Sequence, residues 1–360
     1  MRKRICRLFS IGLVTACGLL TTSCSKESPN GDVDILSGDM MIVDVNGTKM
    51  FFLDNHDGTV SVTYDRRNPM HKTENNTYAL TDYTGDIIVP SSISFSGNSY
   101  LVTGVTEAAF INNTQLTRLT LPSSVKVVGE MAFFGCSALL EVTLPEGLTA
   151  IPDYCFQNCK AMTTIHMPQH LNKIGKDAFK SCTKLERLTI PEGITDIPAG
   201  AFSGLSGLTK LTLPSSLKNI GPNAFSGCSR VTYIDIPSGV TELSDSVFFN
   251  CSGLLMVSLP ESLTKLGSST FGGCRSLVEL DIPESVKEIG PLCFCSYNAN
   301  GESNWKRLTL NIKSTTPPLL TGSIANKTDR KRIVVPRGYR DVYLETAYWN
   351  EFTQVMERNY

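Results

Sequence analysis

Histidine is scarce in this chain, with four among 360 residues, at positions 56, 71, 166 and 170. General acid-base chemistry by imidazole, and histidine-held metal sites, need several such rings converging on one point. His166 and His170 have the i, i+4 spacing of a helical metal pair, but Pro168 between them marks a strand end and removes the shared helix face. His56 and His71 lie among polar turn residues without companions. A basic cluster is also missing: 33 Lys and Arg stand against 34 Asp and Glu, which leaves no electrostatic footprint for nucleic acid. No strand-to-helix glycine turn surrounds Gly272-Gly273, so a phosphate cradle is not expected. Cys293-x-Cys295 is not a zinc spacing, and no second pair follows it. No catalytic residue, metal ligand or cofactor is expected.

Long apolar runs are missing too, apart from the beginning of the chain. There Arg2, Lys3, Arg4 and Arg7 precede an apolar stretch from Leu8 to Leu20, followed by Thr21, Thr22, Ser23 and Cys24. This is the order of a secretory signal over residues 1–23, too short and one-sided for a membrane span. A Cys directly after the small-residue exit resembles the lipobox of bacterial lipoproteins, which implies lipid attachment at Cys24. Val14-Thr15-Ala16-Cys17 is a competing match, and cleavage without lipid is a further alternative. Removing the signal leaves 29 cations against 34 acids, a net charge of −5, so contact with a membrane is expected through the lipid alone. Residues 24–37 are polar and unpatterned, as a flexible tether should be. Their charged stretch resembles the outer-face export signal of Bacteroides-type lipoproteins, which implies an outer-membrane, cell-surface location.

What the chain has in abundance is repetition. Phe110, Phe133, Phe156, Phe179, Phe202, Phe225, Phe248, Phe271 and Phe294 follow one another at a constant 23 residues, and a proline column from Pro122 to Pro283 keeps the same step. A period of this length with leucine punctuation points to a leucine-rich-repeat solenoid, whose coils bury their apolar faces against one another. In the coil from Leu185 to Gly207, the spacing turns Leu185, Leu188 and Ile190 inward from a short strand, while Arg187 and Thr189 point outward. Pro191 ends that strand. Ile194 and Ile197 then face the interior from the opposite side, and Ala201 and Phe202 fill it from a helical turn. Two residues after each Phe stands Gly, Asn or Ser, which predicts a left-handed corner in every coil.

Three of twelve cysteines belong to the signal. Of the other nine, Cys136, Cys159, Cys182, Cys228, Cys251 and Cys274 all stand three residues after a column Phe. The same slot holds Leu205 and Tyr297, so it is apolar, and free Cys serves there as a small hydrophobe. Cys155 and Cys293 take the place of Ala109, Ala132, Ala178, Ala201 and Ala224. Buried thiols rather than a disulfide framework are expected, and Cys295, off both columns, is the one candidate for reactivity.

Both ends depart from the repeat, as a solenoid with covered ends requires. Residues 38–100 alternate like strands with turns at Asn46-Gly47 and Asp57-Gly58, and are expected to form an N-terminal β cap with a first irregular unit. The regular solenoid spans 101–297. Residues 298–360 carry an irregular repeat, a strand at Ile333–Pro336 and an aromatic helical lid from Tyr339 to Val355 built on Tyr343, Trp349 and Phe352. The expected class is therefore α/β and β-rich: a solenoid of 23-residue coils between a β cap and a lid.

The segment LTRLTLPSSVKVVGEMAFFGCSA, the entry TYALTDYTGDIIVPSSISFSGNSYLVTGVTEAAF and the closing VPRGYRDVYLETAYWNEF resemble the BspA-type, or Treponema pallidum-type, leucine-rich repeat over about residues 80–355. The resemblance implies a surface-exposed, non-catalytic binding or adhesion module. Most outward strand positions are small or charged. Tyr233, Leu255, Met256 and Val278 break that rule on three consecutive coils, inside a rim of Asp235, Glu279 and Asp281, and apolar centres with polar rims mark contact surfaces. The expected partner is an extracellular protein or glycan met by this surface. The alternatives are cover of the patch by the C-terminal insertion or plain tolerance of exposed apolar residues, and a structural or assembly subunit of the cell envelope.

Overall fold

The computed structural model describes residues 40–64, 71–72, 78–79, 83–295, 308–324 and 332–360. The signal, Cys24, the tether and the 298–304 insertion lie outside the described residues. Each coil makes three sides. The first is a short strand of the leucine segment, and these strands stack in parallel at one coil's offset: Arg118 opposite Glu141, Arg187 opposite Lys210, Tyr233 opposite Met256. The second is a two-residue strand that stacks from Asp196–Ile197 through Asn219–Ile220, Glu242–Leu243, Lys265–Leu266 and Glu288–Ile289 to Leu319–Leu320. The third is the corner that carries the Phe.

That corner explains why the period never slips. Its backbone alternates roles: Ala132, Phe134 and Cys136 donate N–H bonds to the carbonyl three residues back, while Met131, Phe133 and Gly135 donate to Asp153, Cys155 and Gln157 of the next coil. Every second peptide thus ties one coil to the next, and an inserted residue would put both sets out of phase. The left-handed corner two residues after Phe is present from Asn112 (φ 53°) to Gly273 (φ 78°). A second left-handed column, two residues before Phe, includes Ala108, Met131, Tyr154, Asp177, Asn223, Ser246, Ser269 and Leu292. Asp177 and Asn223 tolerate positive φ, but Ala108, Met131, Tyr154 and Leu292 do not favour it, so there the stacking imposes it.

Inside, Leu185, Leu188, Ile190, Ile194, Ile197, Ala201, Phe202 and Leu205 are all buried, as their spacing predicts. The nine Phe rings form one column, with neighbouring centroids 5.1 to 5.9 Å apart and planes within 15°. The step follows the ~4.8 Å spacing of the strands that carry them, and stacked pairs of this kind add about 0.5–1.5 kcal/mol beyond their burial.

Tyr83 closes the amino end of the column. Its ring lies 4.9 Å from Phe110 and 6.2 Å from Phe51. Its hydroxyl donates to the Thr63 carbonyl at 2.6 Å and accepts from the Phe51 N–H at 3.1 Å. Three strands, Met40–Val45, Thr48–Asp54 and Thr59–Thr63, form an antiparallel cap that joins the second ladder through Asn98–Val105. At the other end, Tyr343 and Trp349 meet edge to face at 5.2 Å, and Phe352 lies 5.4 Å beyond.

The lid is less helical than its sequence suggests: the helix covers only Arg340–Glu345, a single 3-10 turn covers Trp349–Glu351, and Gln354–Arg358 adds a last parallel strand beside Arg332–Pro336. The unpaired edge of the first ladder offers that segment backbone bonds that a longer helix would forgo. Among the described residues the helical content is confined to this lid.

Candidate functional site

Alternation along the first ladder decides which side chains meet solvent. Arg118, Glu141, Thr164, Arg187, Lys210, Tyr233, Met256 and Glu279, with the parallel column from Thr120 to Asp281, are all exposed. Chemistry changes midway along this face. Up to Lys210 the outward positions carry Arg118, Arg187 and Lys210 with the acids Asp86 and Glu141. From Tyr233 to Asn311 they carry Tyr233, Asp235, Met256, Ser258, Glu279, Asp281, Thr309 and Asn311, with three carboxylates and no cation.

Stacking brings the apolar residues of this second half together. Tyr233 lies opposite Met256 in the ladder register, and Leu255 and Val278 occupy the position just before the strand on consecutive coils. Their exposures are 49% for Tyr233, 54% for Leu255, 60% for Met256 and 49% for Val278, so each projects well clear of the core. The sheet rows are ~4.8 Å apart and alternate outward positions ~6.7 Å apart along a strand. The acids Asp235 and Asp281 therefore stand one alternate position from the apolar column.

Two residues that the sequence did not single out complete this surface. Asn311 is 2% exposed although its column points outward, and its Nδ2 donates to Glu279 Oε1 and to Asp281 Oδ1, both at 2.7 Å. Being neutral, the amide fixes the two carboxylates without cancelling their charge. Tyr360 donates its hydroxyl to the Val334 carbonyl at 3.3 Å. Burial raises its phenol above the ordinary value, and Asp281 and Glu279 add to the rise against the opposing effect of Arg358. The chain's last residue thus lies across this end of the face. A signal for Asn311 existed in the sequence, since it continues the Asp281 column, but the offset there is 30 residues instead of 23.

The remaining candidates show no convergent chemistry. His166 and His170 are both exposed. All nine cysteines are buried thiols. Six of them donate to a Phe carbonyl of the coil before, from Cys136 to Phe110 at 2.9 Å through Cys274 to Phe248 at 3.2 Å. Burial pushes the Cys136, Cys251 and Cys293 thiols up to about 12, far from the thiolate that reactivity requires. Cys295, set apart by sequence as the candidate for reactivity, is 4% exposed.

A cavity of about 280 Å³ opens on the corner side, lined by Lys176, Asp177, Lys180, Gly200, Ser203 and Asn223. Its buried acid, Asp177, is already paired with Lys180 at 3.4 Å. Among the described residues no three His, Cys, Asp or Glu converge to hold a metal ion, and no helix is long and apolar enough to cross a membrane.

Parallel ladders, a leucine segment on one side and a stacked aromatic corner define a leucine-rich-repeat solenoid. The chain belongs to the BspA-type leucine-rich-repeat family: six copies of that repeat region match over residues 103–231 and 173–300, more than half of the sequence. This is a family of repeat architecture, and no enzyme family is indicated.

The fold is similar to that of a leucine-rich repeat protein from Bacteroides ovatus, at 24% identity and a TM-score of 0.68, over 89% of this chain and 75% of that one. A leucine-rich repeat protein from T. pallidum is 27% identical with a TM-score of 0.41, over 67% of this chain and 89% of that one. A leucine-rich cell surface protein from Faecalibacterium prausnitzii is 20% identical with a TM-score of 0.45, over 89% and 95% respectively. Among curated proteins none matches the chain.

Proposed function

We propose that this is a non-catalytic bacterial surface protein, anchored by lipid at Cys24, whose outward strand face binds an extracellular protein or glycan. One observation carries the reading: the interior is consumed by self-packing, and on the outward strand face four exposed apolar side chains, Tyr233, Leu255, Met256 and Val278, stand on three consecutive coils inside an acidic rim. The repeat family and the signal-like N-terminus support an exported location. The carboxylates of this face are exposed on an open sheet, a setting for recognition and not for bond-making chemistry.

Arrays of extracellular matrix proteins and glycans, probed with the purified chain and with a Tyr233→Ser/Met256→Ser variant, test the proposal. Binding of the wild type that the variant loses is expected, and silence across both arrays would refute it. Protease shaving of whole cells tests the location separately: loss of the solenoid under non-lytic conditions is expected, and full protection would contradict surface display.

A further inference from the structure

The face around the patch narrows the class of partner. We propose that it receives a cationic amphipathic protein segment, one in which Lys or Arg alternates with Leu, Phe or similar side chains, in preference to a neutral glycan. This rests on the reading that the outward face binds an extracellular partner.

Three observations carry it. First, Asp235, Glu279 and Asp281 rim the apolar centre on the same side of the sheet, and the outward positions from Tyr233 to Asn311 contain no cation to offset them. An ammonium or guanidinium entering between Lys210 and Arg332, the outward cations on the rows to either side, would meet net negative potential. Second, Glu279 and Asp281 are held in place by one neutral amide, that of Asn311, at 2.7 Å each. Each carboxylate keeps lone pairs for a second donor, and holding them in advance reduces the ordering cost of binding. Third, the acids stand one alternate strand position, ~6.7 Å, from the apolar column. A Lys or Arg stem can lie along Met256 with its charged head at Asp235 or Asp281, while the next side chain of the partner rests on Leu255 and Val278.

The cationic first half of the face gives an internal control, because Asp86 and Glu141 flank Arg118 at 3.2 and 4.0 Å. Acids there already share Arg118, and exposed Ile88 faces Thr120 instead of a second apolar side chain.

Fluorescence anisotropy tests this with a labelled short peptide of alternating Lys and Leu, and with two counterparts carrying Glu for Lys or Ser for Leu. The Lys-Leu peptide is expected to bind at least about tenfold more tightly than either counterpart, and to weaken as salt rises from about 20 to about 200 mM. Asp235→Asn/Glu279→Gln/Asp281→Asn is expected to weaken it about fivefold or more and to flatten the salt dependence. Leu255→Ser/Met256→Ser is expected to weaken it similarly, and Asp86→Asn/Glu141→Gln to leave it unchanged. All substituted positions are exposed, and circular dichroism verifies that each variant is folded.

Equal binding of the three peptides, or no effect of the patch variants, overturns the proposal. Peptide binding that arises only after residues 298–304 are replaced by a short glycine linker also overturns it, by showing that the chain covers its own patch. So does a wild-type dimer by sedimentation that Met256→Ser dissociates, which would make the occupant a second copy. A neutral oligosaccharide whose binding the patch variants abolish, with no peptide binding, would overturn the cationic-segment proposal and leave the surface-binding reading intact.

Discussion

Replacing Cys155 and Cys293 by alanine isolates the stability that buried thiols hold at alkaline pH. In the folded chain, burial pushes Cys136, Cys251 and Cys293 up to about 12, and raises Cys155, Cys159, Cys228 and Cys274 well above the ordinary 9.0. Once unfolded, these thiols ionise near their ordinary value. The folded pKa lies above the unfolded one, so the folded state keeps protons that the unfolded state releases. This stability is complete below pH 9 and is lost as pH rises from there toward the folded value.

At pH 10 each unfolded thiol gains ~1.4 kcal/mol, and the seven together gain about 10 kcal/mol, the size of a whole domain's stability. A marked fall of stability between pH 9 and 10 is therefore expected. Alanine is the natural occupant of the Cys155 and Cys293 column in five other coils, at 109, 132, 178, 201 and 224, so the double variant should fold with a cost of ~1–2 kcal/mol at neutral pH. Urea unfolding followed by circular dichroism from pH 7 to 10 then compares the two chains. The total loss of stability from pH 7 to 10 should be smaller in Cys155→Ala/Cys293→Ala by ~2.8 kcal/mol, two thiols' worth, most of it between pH 9 and 10. Lys and Tyr titrations are common to both chains and cancel in the difference. Equal losses would refute the reasoning.

The aromatic column makes a second prediction: Phe202→Ala, at a ring stacked 5.6 and 5.5 Å from its neighbours, should lose ~3–5 kcal/mol in urea unfolding, and Phe202→Leu distinctly less. Gly129→Ala should lose about 3 kcal/mol, because its Cβ would stand 2.2 Å from the Glu107 nitrogen of the preceding coil, where backbone cannot give way. Ala108→Gly, at φ 55°, should gain about 0.5 kcal/mol by removing left-handed strain, less the entropy that glycine adds to the unfolded chain. A thiol reagent should modify none of the nine cysteines after residue 24 in the native protein and all of them in guanidinium; labelling of Cys295 in the native state would contradict its burial.

Periodic residues were legible in the sequence because their causes are local and repeated. Each column Phe, each strand Leu and each Gly or Asn corner is selected by the same environment in every coil, so two or three columns in phase reveal the whole stack. The left-handed residues two positions before Phe were not legible. Ala108, Met131 and Tyr154 carry no preference for that conformation, and it is forced on them by the N–H bonds they send to the next coil. Tyr83 was hidden for a related reason: it caps the ring column from outside the period. The lid misled because Tyr339–Val355 has helical spacing, whereas the vacant ladder edge favours a strand at Gln354–Arg358. Of the candidate surface, the apolar residues stood out against small neighbours. Asn311 did not, since the changed offset moves it out of its column.

Site-specific photo-crosslinking on intact cells addresses the central claim most directly, with a photoreactive phenylalanine analogue at Met256 and, in a separate strain, at Arg187 on the earlier half of the same face. The account predicts an adduct with another polypeptide from Met256, retained in cells and competed by the Lys-Leu peptide, and none from Arg187. Equal adducts from both positions, or an unmodified chain in both strains, would contradict it.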